Sequence, residues 1–175
     1  MALSRCRTPL RLIVVFVTNN DLFAGVSVTD PAQFRLQDFL PYLLNHAAEE
    51  AGQGFSRIYK DRYGMLRTEW RVLAHLGQFG PMDATRIGIM ARVHKTKISR
   101  AVTALQDKRF VTRTLDGDDR RRATLCLTQA GQAAYTDLAA IAQDYDRTLL
   151  ARLSAEEHAG LLDCLRKLGG DLPKD

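Results

Sequence analysis

The stretch from Lys95 to Leu127 constrains the fold of this chain more than any other part of the sequence. Its first half places apolar residues at the i, i+3, i+4 and i+7 positions of one helix face, namely Ile98, Ala101, Val102 and Leu105. Its second half contains a segment rich in β-branched residues (111–115), an Asp-Gly turn and a return segment (123–127). An amphipathic helix followed by a two-stranded hairpin is the order of parts in a winged helix-turn-helix module.

The same stretch carries the excess positive charge of the chain. Between residues 95 and 122, nine basic side chains stand against four acidic ones, which leaves +5, the formal net charge of the whole sequence. The remaining residues therefore sum to zero. A positive field concentrated on one short segment is the electrostatic footprint of a phosphate-binding surface, whereas a generally basic surface would spread its charge.

Two groups of residues in this stretch are candidates for contact with DNA. On the helix, long cations and small hydroxyls lie off the apolar stripe, which suits a major groove because hydroxyls allow close approach and cations reach phosphates and guanine edges. These residues are Lys95, Thr96, Lys97, Ser99, Arg100 and Thr103. At the hairpin tip, Arg120, Arg121 and Arg122 carry the charge that a narrow minor groove attracts. The competing interpretation is a solvated helix face and a polar turn.

The sequence before this stretch is expected to be helical from residue 36 onward. The first helix is predicted over 36–63, with Asp38 as its N-cap. Gly52 and Gly54 are poor helix formers and indicate a kink or a close contact with another helix.

Shorter helices are predicted next. Thr68 is expected to cap a second helix over 69–79, and Asp83 a third that ends at about Arg92. His94 then stands at the N-cap position of the fourth helix, where Ser, Thr, Asp or Asn is favoured.

Two further helices are predicted after the hairpin. Thr128 is expected to cap a fifth helix that ends at about Leu153. The capping box 154–157 opens a sixth helix, which the glycine pair 169–170 ends.

We therefore predict a mainly α protein with a small β-hairpin wing, in which a winged helix-turn-helix domain joins a helical dimerisation layer. Residues 65–128 would form the DNA-binding module within a domain over 34–170, and residues 34–64 and 129–170 the dimerisation helices. Residues 1–33 are poorly periodic and are interpreted as an N-terminal extension. Their basic residues before an aliphatic run also mimic a weak signal peptide, and an arm that packs on a partner subunit is a third option.

Composition and spacing argue against several other classes of protein. The three cysteines, Cys6, Cys126 and Cys164, cannot all pair and lack metal-like spacing, which favours a reducing compartment. The four histidines are also scattered without ligand spacing. We find no phosphate loop, nucleophile elbow or aliphatic run near the roughly 20 residues that span a bilayer. We therefore expect no enzyme activity, no cofactor, no metal and no membrane segment.

From about Leu36 to Leu168 the chain resembles the MarR (multiple antibiotic resistance regulator) family of bacterial transcription regulators. Four motifs carry the resemblance in the order that the family has them. They are Glu69-Trp-Arg-Val-Leu73 in the second helix, Lys95 to Leu105 as the recognition helix, Lys108 to Arg113 at the entry to the wing, and Asp119-Arg-Arg121 with Leu125-Cys-Leu-Thr128 and Gly131 as the wing signature.

The resemblance implies an obligate homodimer built from the first, fifth and sixth helices, with two recognition helices in successive major grooves of a pseudo-palindromic operator. It implies that Arg121 reaches the minor groove and that Asp119 orients it. His94 departs from the acidic or hydroxyl residue usual before the recognition helix. The implied function is a cytoplasmic transcription regulator, and we expect a repressor.

The resemblance also implies a small aromatic or phenolic effector between the dimerisation layer and the DNA module, for which His46, Trp70 and Arg71 are candidates. Trp70 equally fits a core position, Arg71 a structural ion pair and His46 a structural role. One alternative function is a winged-helix protein-interaction module, although such modules usually lack these cations. Another is a cysteine-based redox-responsive regulator, against which the absence of cysteine from the first helix argues.

Overall fold

The computed structural model describes residues 34–115 and 123–169 of the chain. A 3-10 helix at Leu36–Asp38 lies in a separate unit, which ends at Phe39. The unit that begins at Leu40 contains α-helices and short strands in the order α1 (Leu40–Tyr63), α2 (Arg67–Phe79), β1 (Met82–Asp83), α3 (Ala84–Met90), α4 (Lys95–Asp107), β2 (Val111–Leu115), β3 (Ala123–Leu127), α5 (Gln129–Leu150) and α6 (Ala155–Gly169). This is the mainly α fold with a small hairpin that the sequence predicts.

The strands form one antiparallel sheet with the order β1-β3-β2. In the predicted hairpin, Val111 lies opposite Leu127 and Arg113 opposite Leu125. The two-residue strand β1 was not predicted. It pairs Met82 with Leu125 and so attaches the start of α3 to the base of the hairpin.

The core lies between α2, α4, α5 and the sheet. The four apolar residues that the sequence places on one face of α4 are all buried, as predicted. They meet Val72, Leu73 and Leu76 of α2 and Leu125 of β3 in one cluster of buried side chains. Burying this face of α4 leaves its polar face in solvent.

Four of the predicted helix caps are confirmed. The backbone N–H of Arg86 donates to Oδ1 of Asp83 at 2.8 Å, that of Thr96 to Nδ1 of His94 at 3.3 Å, and that of Gly131 to Oγ1 of Thr128 at 3.0 Å. Ser154 and Glu157 form the reciprocal capping box before α6. His94 therefore replaces the usual oxygen acceptor with a ring nitrogen.

Two predicted caps are wrong. Asp38 ends the 3-10 helix and pairs with Arg35, and α1 starts only at Leu40 because Phe39 adopts an extended backbone. Thr68 lies inside the first turn of α2, whose N-cap is Leu66. The N–H of Trp70 already donates to the carbonyl of Leu66 at 3.0 Å, so the helical hydrogen bonds begin two residues before the predicted cap.

Two predicted helix ends are also too late. The third helix ends at Met90 because Arg92 takes a left-handed backbone with φ of 50°. The fifth ends at Leu150, before the predicted Leu153.

The close helix contact predicted at the glycines of α1 is present at Gly54. A Cβ at this position would lie 2.8 Å from Oη of Tyr145 on α5. The same hydroxyl donates to the carbonyl of Ala51 at 2.7 Å. Helices α1 and α5 are thus held side by side at the middle of α1.

Candidate DNA interface

The polar face of α4 is the centre of the candidate interface. All six residues that the sequence selects on this helix are exposed: Lys95, Thr96, Lys97, Ser99, Arg100 and Thr103. The hydroxyl of Thr103 donates to the carbonyl of Ser99, one turn earlier in the helix, at 3.2 Å. The buried stripe behind them fixes the direction in which they point.

These residues divide between two flanks of α4. Lys95, Thr96, Ser99 and Thr103 line a groove of about 430 Å³ whose other walls are the start of α3 and Arg113 of β2. On the opposite flank, Lys97 and Arg100 line a groove of about 330 Å³ beside Leu66, Thr68 and Glu69 at the start of α2. The helix therefore forms a polar ridge with a depression on each side, a shape that a protein helix needs to enter a wide groove.

Several residues beside α4 extend this surface and were not selected from the sequence. Thr85 and Arg86 lie in the first turn of α3, and Gln106 and Arg113 complete the larger groove. Arg113 also lines a neighbouring depression of about 420 Å³ with Arg86. Two signals were available in the sequence, since Arg113 belongs to the basic cluster and the Asp83 cap fixes the position of Arg86.

Lys108 differs from the other described members of the basic cluster in that its charge is balanced inside the protein. Its ammonium lies 3.1 Å from Oε2 of Glu69, a carboxylate on α2 whose side chain is only 6% exposed. The Lys108 side chain is itself 29% exposed. Less of its charge is therefore available to an external phosphate than that of the exposed lysines of α4, Lys95 and Lys97.

The tip of the hairpin, with Asp119, Arg120, Arg121 and Arg122, lies outside the described residues. The base of the hairpin is described and is tightly bonded. The hydroxyl of Thr128 donates to the carbonyl of Arg109 at 2.7 Å, and its N–H donates to the carbonyl of Phe110 at 3.0 Å. The start of α5 and the start of β2 are therefore joined.

The described ranges lack the features of two other classes of site. No helix there is long and apolar enough to cross a membrane. No group of three or more His, Cys, Asp or Glu side chains in those ranges is arranged to hold a metal ion.

Comparison with known proteins shows which family the chain resembles. A model of the MarR family matches residues 63–122, from the end of α1 through the hairpin. The homoprotocatechuate degradative operon repressor of Escherichia coli is 25% identical over 132 residues, which cover 75% of this chain and 88% of the repressor. Over this region the chain is similar to proteins of the MarR family.

Solved structures of regulators have a similar fold. The crystal structure of a probable transcriptional regulator from Pseudomonas aeruginosa is 29% identical, with a TM-score of 0.64 over 77% of this chain and 99% of that one. A mutant of MarR from E. coli, crystallised with operator DNA, shares the fold at 21% identity, with a TM-score of 0.67 over 74% of this chain and 92% of that one.

The three effector candidates lie in different surroundings. Trp70 is half-buried and packs edge-on against Phe55, with ring centroids 5.3 Å apart. His46 is exposed on α1 and stacks on Tyr42. Arg71 is exposed on α2.

The charge of Arg71 lowers the pKa of Glu49, a carboxylate on α1, although Arg67 has the larger effect. Hydrogen bonds from Arg67, at 2.5 and 2.8 Å, and the positive charge of Arg67 hold the pKa of Glu49 below its usual range. The charge of Arg71 adds to this lowering to a smaller degree.

A cavity of about 310 Å³ lies next to Trp70, between α2 and α5. Its lining is mostly apolar, with polar atoms from His75, Gln78 and Tyr135. His46 and Arg71 are not part of this lining. Of the three candidates, Trp70 is the one that lines this depression.

Proposed function

We propose that this chain is a sequence-specific DNA-binding regulator that represses transcription as a homodimer and is released by a small-molecule effector. The observation that carries the proposal is the exposed polar ridge of α4, held outward by a fully buried apolar stripe. A B-DNA major groove is about 12 Å wide and admits one α-helix. A cytoplasmic location follows from a DNA target.

Double-stranded DNA is the partner that the charge of the ridge fits. Lys95, Lys97 and Arg100 are exposed on α4, and Arg113 extends the positive surface onto the sheet. MarR of E. coli, which shares this fold, has been crystallised with operator DNA. In this proposal Arg121 contacts the minor groove and Asp119 orients it, with Arg120 and Arg122 beside them.

The homodimer is supported by apolar side chains left in solvent on α1 and α6. Leu40, Tyr42 and Leu43 are each more than two-fifths exposed, and so are Leu161, Leu165 and Leu168. Helix α6 contains no buried residue at all, although its leucines recur at helical spacing. Monomeric proteins rarely leave such patches uncovered, and a second copy of the chain with the same two stripes would cover them.

The effector part of the proposal concerns the region around Trp70, with His46 and Arg71 as the other candidates. A small aromatic or phenolic compound would act by favouring a dimer whose recognition helices no longer match the operator spacing. Trp70 is the only tryptophan in the sequence, so its fluorescence reports on this region directly. A compound that quenches Trp70 but leaves operator affinity unchanged would count against an effector role.

The DNA-binding proposal is tested by selecting sequences from a random duplex library and measuring affinity by fluorescence anisotropy. We expect a pseudo-palindromic consensus and a loss of at least tenfold in specific affinity for Arg100→Ala, as a lost base or phosphate contact predicts. Arg147→Ala is the matched control, because Arg147 is also an exposed arginine but lies on α5, where it pairs with Asp144. Failure to enrich any sequence would favour the alternative function, a winged-helix module that binds protein.

A further inference from the structure

The end of the recognition helix α4 lies close to helices α1 and α5 at a junction around Phe110. Tyr63, at the end of α1, packs edge-on against Phe110, with ring centroids 5.9 Å apart. The Tyr63 hydroxyl donates to Asp137 of α5 at 2.8 Å, and Arg62 donates to the same carboxylate at 3.0 Å. Phe110 lies between α4 and β2, so this contact connects α1 and α5 to both DNA-reading elements.

Glu69 and Lys108 form an ion pair at the same junction. Glu69 is the buried charged residue among those described, at 5% exposure. Its Oε2 atom has no aligned hydrogen-bond donor within the described residues, so the Lys108 ammonium at 3.1 Å is the charge that balances it there. The stem of Lys108 also passes the turn between α1 and α2, where a Cβ on Gly64 would lie 3.9 Å from its Cε.

Each charge of the pair lies at the helix end that its sign favours. Glu69 lies in the first turn of α2, which has no side-chain cap, and Lys108 is the C-cap residue of α4. A carboxylate near a helix N-terminus and an ammonium near a helix C-terminus each complement the helix dipole. A buried pair of this kind is weak evidence for stability, because desolvation offsets the attraction, but removal of one partner leaves the other charge uncompensated.

We propose that the Glu69–Lys108 pair is a positioning device that fixes the end of the recognition helix relative to α2 and to the turn that joins α2 to the dimerisation helix α1, and so sets the half-site spacing that the dimer accepts. The proposal rests on the proposed function, since it requires a dimer that reads two half-sites. In this proposal Lys108 is a positioning residue. It acts on the recognition helix through its ion pair with Glu69 and does not contact DNA itself.

The test uses the selected operator rebuilt with the spacer between half-sites shortened by one base pair, unchanged or lengthened by one base pair. Each step moves the second half-site by about 3.4 Å and rotates it by roughly 35° about the DNA axis. We expect the wild-type protein to prefer one spacer strongly. In Lys108→Met and Glu69→Gln this preference should fall at least tenfold, and the double variant should lose little more because the two residues act as one unit.

Lys97→Met is the matched control, since Lys97 is an exposed lysine on the same helix. It should weaken binding equally at all three spacers and reduce the slope of log affinity against log salt by about 0.9, as loss of one phosphate contact does. Lys108→Met should leave that slope, and binding to non-specific DNA, unchanged. Glu69→Gln keeps the shape of the side chain, so it carries the test if Lys108→Met does not fold.

Four outcomes decide between these possibilities. A tenfold loss of spacer preference in folded, dimeric variants supports the proposal. Unchanged spacer preference overturns it, as does a Lys108→Met variant that behaves like Lys97→Met, because Lys108 would then bind a phosphate. A wild-type protein that binds no selected sequence overturns the proposed function itself, and the positioning role with it.

Discussion

Substitution of Gly131 by alanine should destabilise the protein through a single steric clash at the base of the wing. Gly131 lies in the first turn of α5, directly behind the carbonyl of Phe110. A Cβ at this position would lie 1.9 Å from the carbonyl oxygen, 2.8 Å from the carbonyl carbon and 3.2 Å from Cα of Phe110. These are all backbone atoms, so no side-chain rotation relieves the overlap.

The size of the effect follows from two opposing terms. Overpacking costs about 1–3 kcal/mol, and the upper end applies because the carbonyl that must move also accepts a hydrogen bond from Thr128. Alanine gains roughly 1 kcal/mol over glycine in a helix. The net loss in the free energy of unfolding is therefore about 2 kcal/mol, which lowers Tm by roughly 4–8 °C in a protein of this size.

Thermal unfolding by calorimetry measures this loss, at equal protein concentration for each variant because Tm of a dimer depends on concentration. Gly160→Ala is the matched control. It makes the same change in the middle of α6, where a Cβ would have no described neighbour within 4 Å, and should raise the free energy of unfolding by roughly 0.5–1 kcal/mol. A Gly131→Ala variant as stable as the wild-type protein would refute the steric argument.

Three further predictions concern the other parts of the account. Glu157→Gln should lower Tm at neutral pH but not in acid. Hydrogen bonds from the backbone N–H and hydroxyl of Ser154 hold the pKa of Glu157 below its usual value. The contribution of Glu157 to stability is therefore present above the pKa of the unfolded state and is lost as the pH falls through the pKa of the folded state. A Tm difference that persists in acid would show a different origin. Leu165→Glu should convert the dimer to a monomer in sedimentation experiments, because this exposed leucine lies on the apolar stripe of α6; an unchanged mass would exclude this stripe from the interface. Arg113→Ala should weaken operator binding at every sequence and reduce the salt slope by about 0.9, whereas a change in sequence preference would assign Arg113 to base contact.

Features that depend on neighbours along the chain were predictable from the sequence. The buried stripe of α4 follows from a 3.6-residue period, and the caps at Asp83, Thr128 and Ser154 follow from side chains that satisfy the first free N–H groups of a helix. The hairpin strands were predicted with their correct bounds, 111–115 and 123–127. His94 also serves as the cap that its position implied.

Features that depend on tertiary contacts were not predictable in this way. Strand β1 has only two residues and exists because Met82 and Asp83 pair with β3, about 40 positions further along the chain. The backbone of Phe39 and the early start of α2 displaced two predicted caps.

The candidate interface was likewise predictable where it depends on local sequence and not where it depends on tertiary contacts. The apolar stripe predicts that the six polar residues of α4 are exposed, but their distribution over two flanks depends on how α2, α3 and β2 pack around the helix. The basic cluster predicts a positive surface, yet Lys108 turns inward because a buried carboxylate 39 positions earlier in the sequence balances it. A count of charges does not distinguish a lysine that faces solvent from one that pairs with a buried carboxylate.

The most direct test of the account is a mobility-shift titration with DNA from immediately upstream of the gene that encodes this chain, across a series of salt concentrations. The account predicts a specific complex whose log affinity falls linearly and steeply with log salt concentration, because several phosphates are neutralised at once. Failure to bind this fragment, together with failure to bind non-specific DNA at low salt, would contradict the claim that the polar ridge of α4 is a DNA-reading surface.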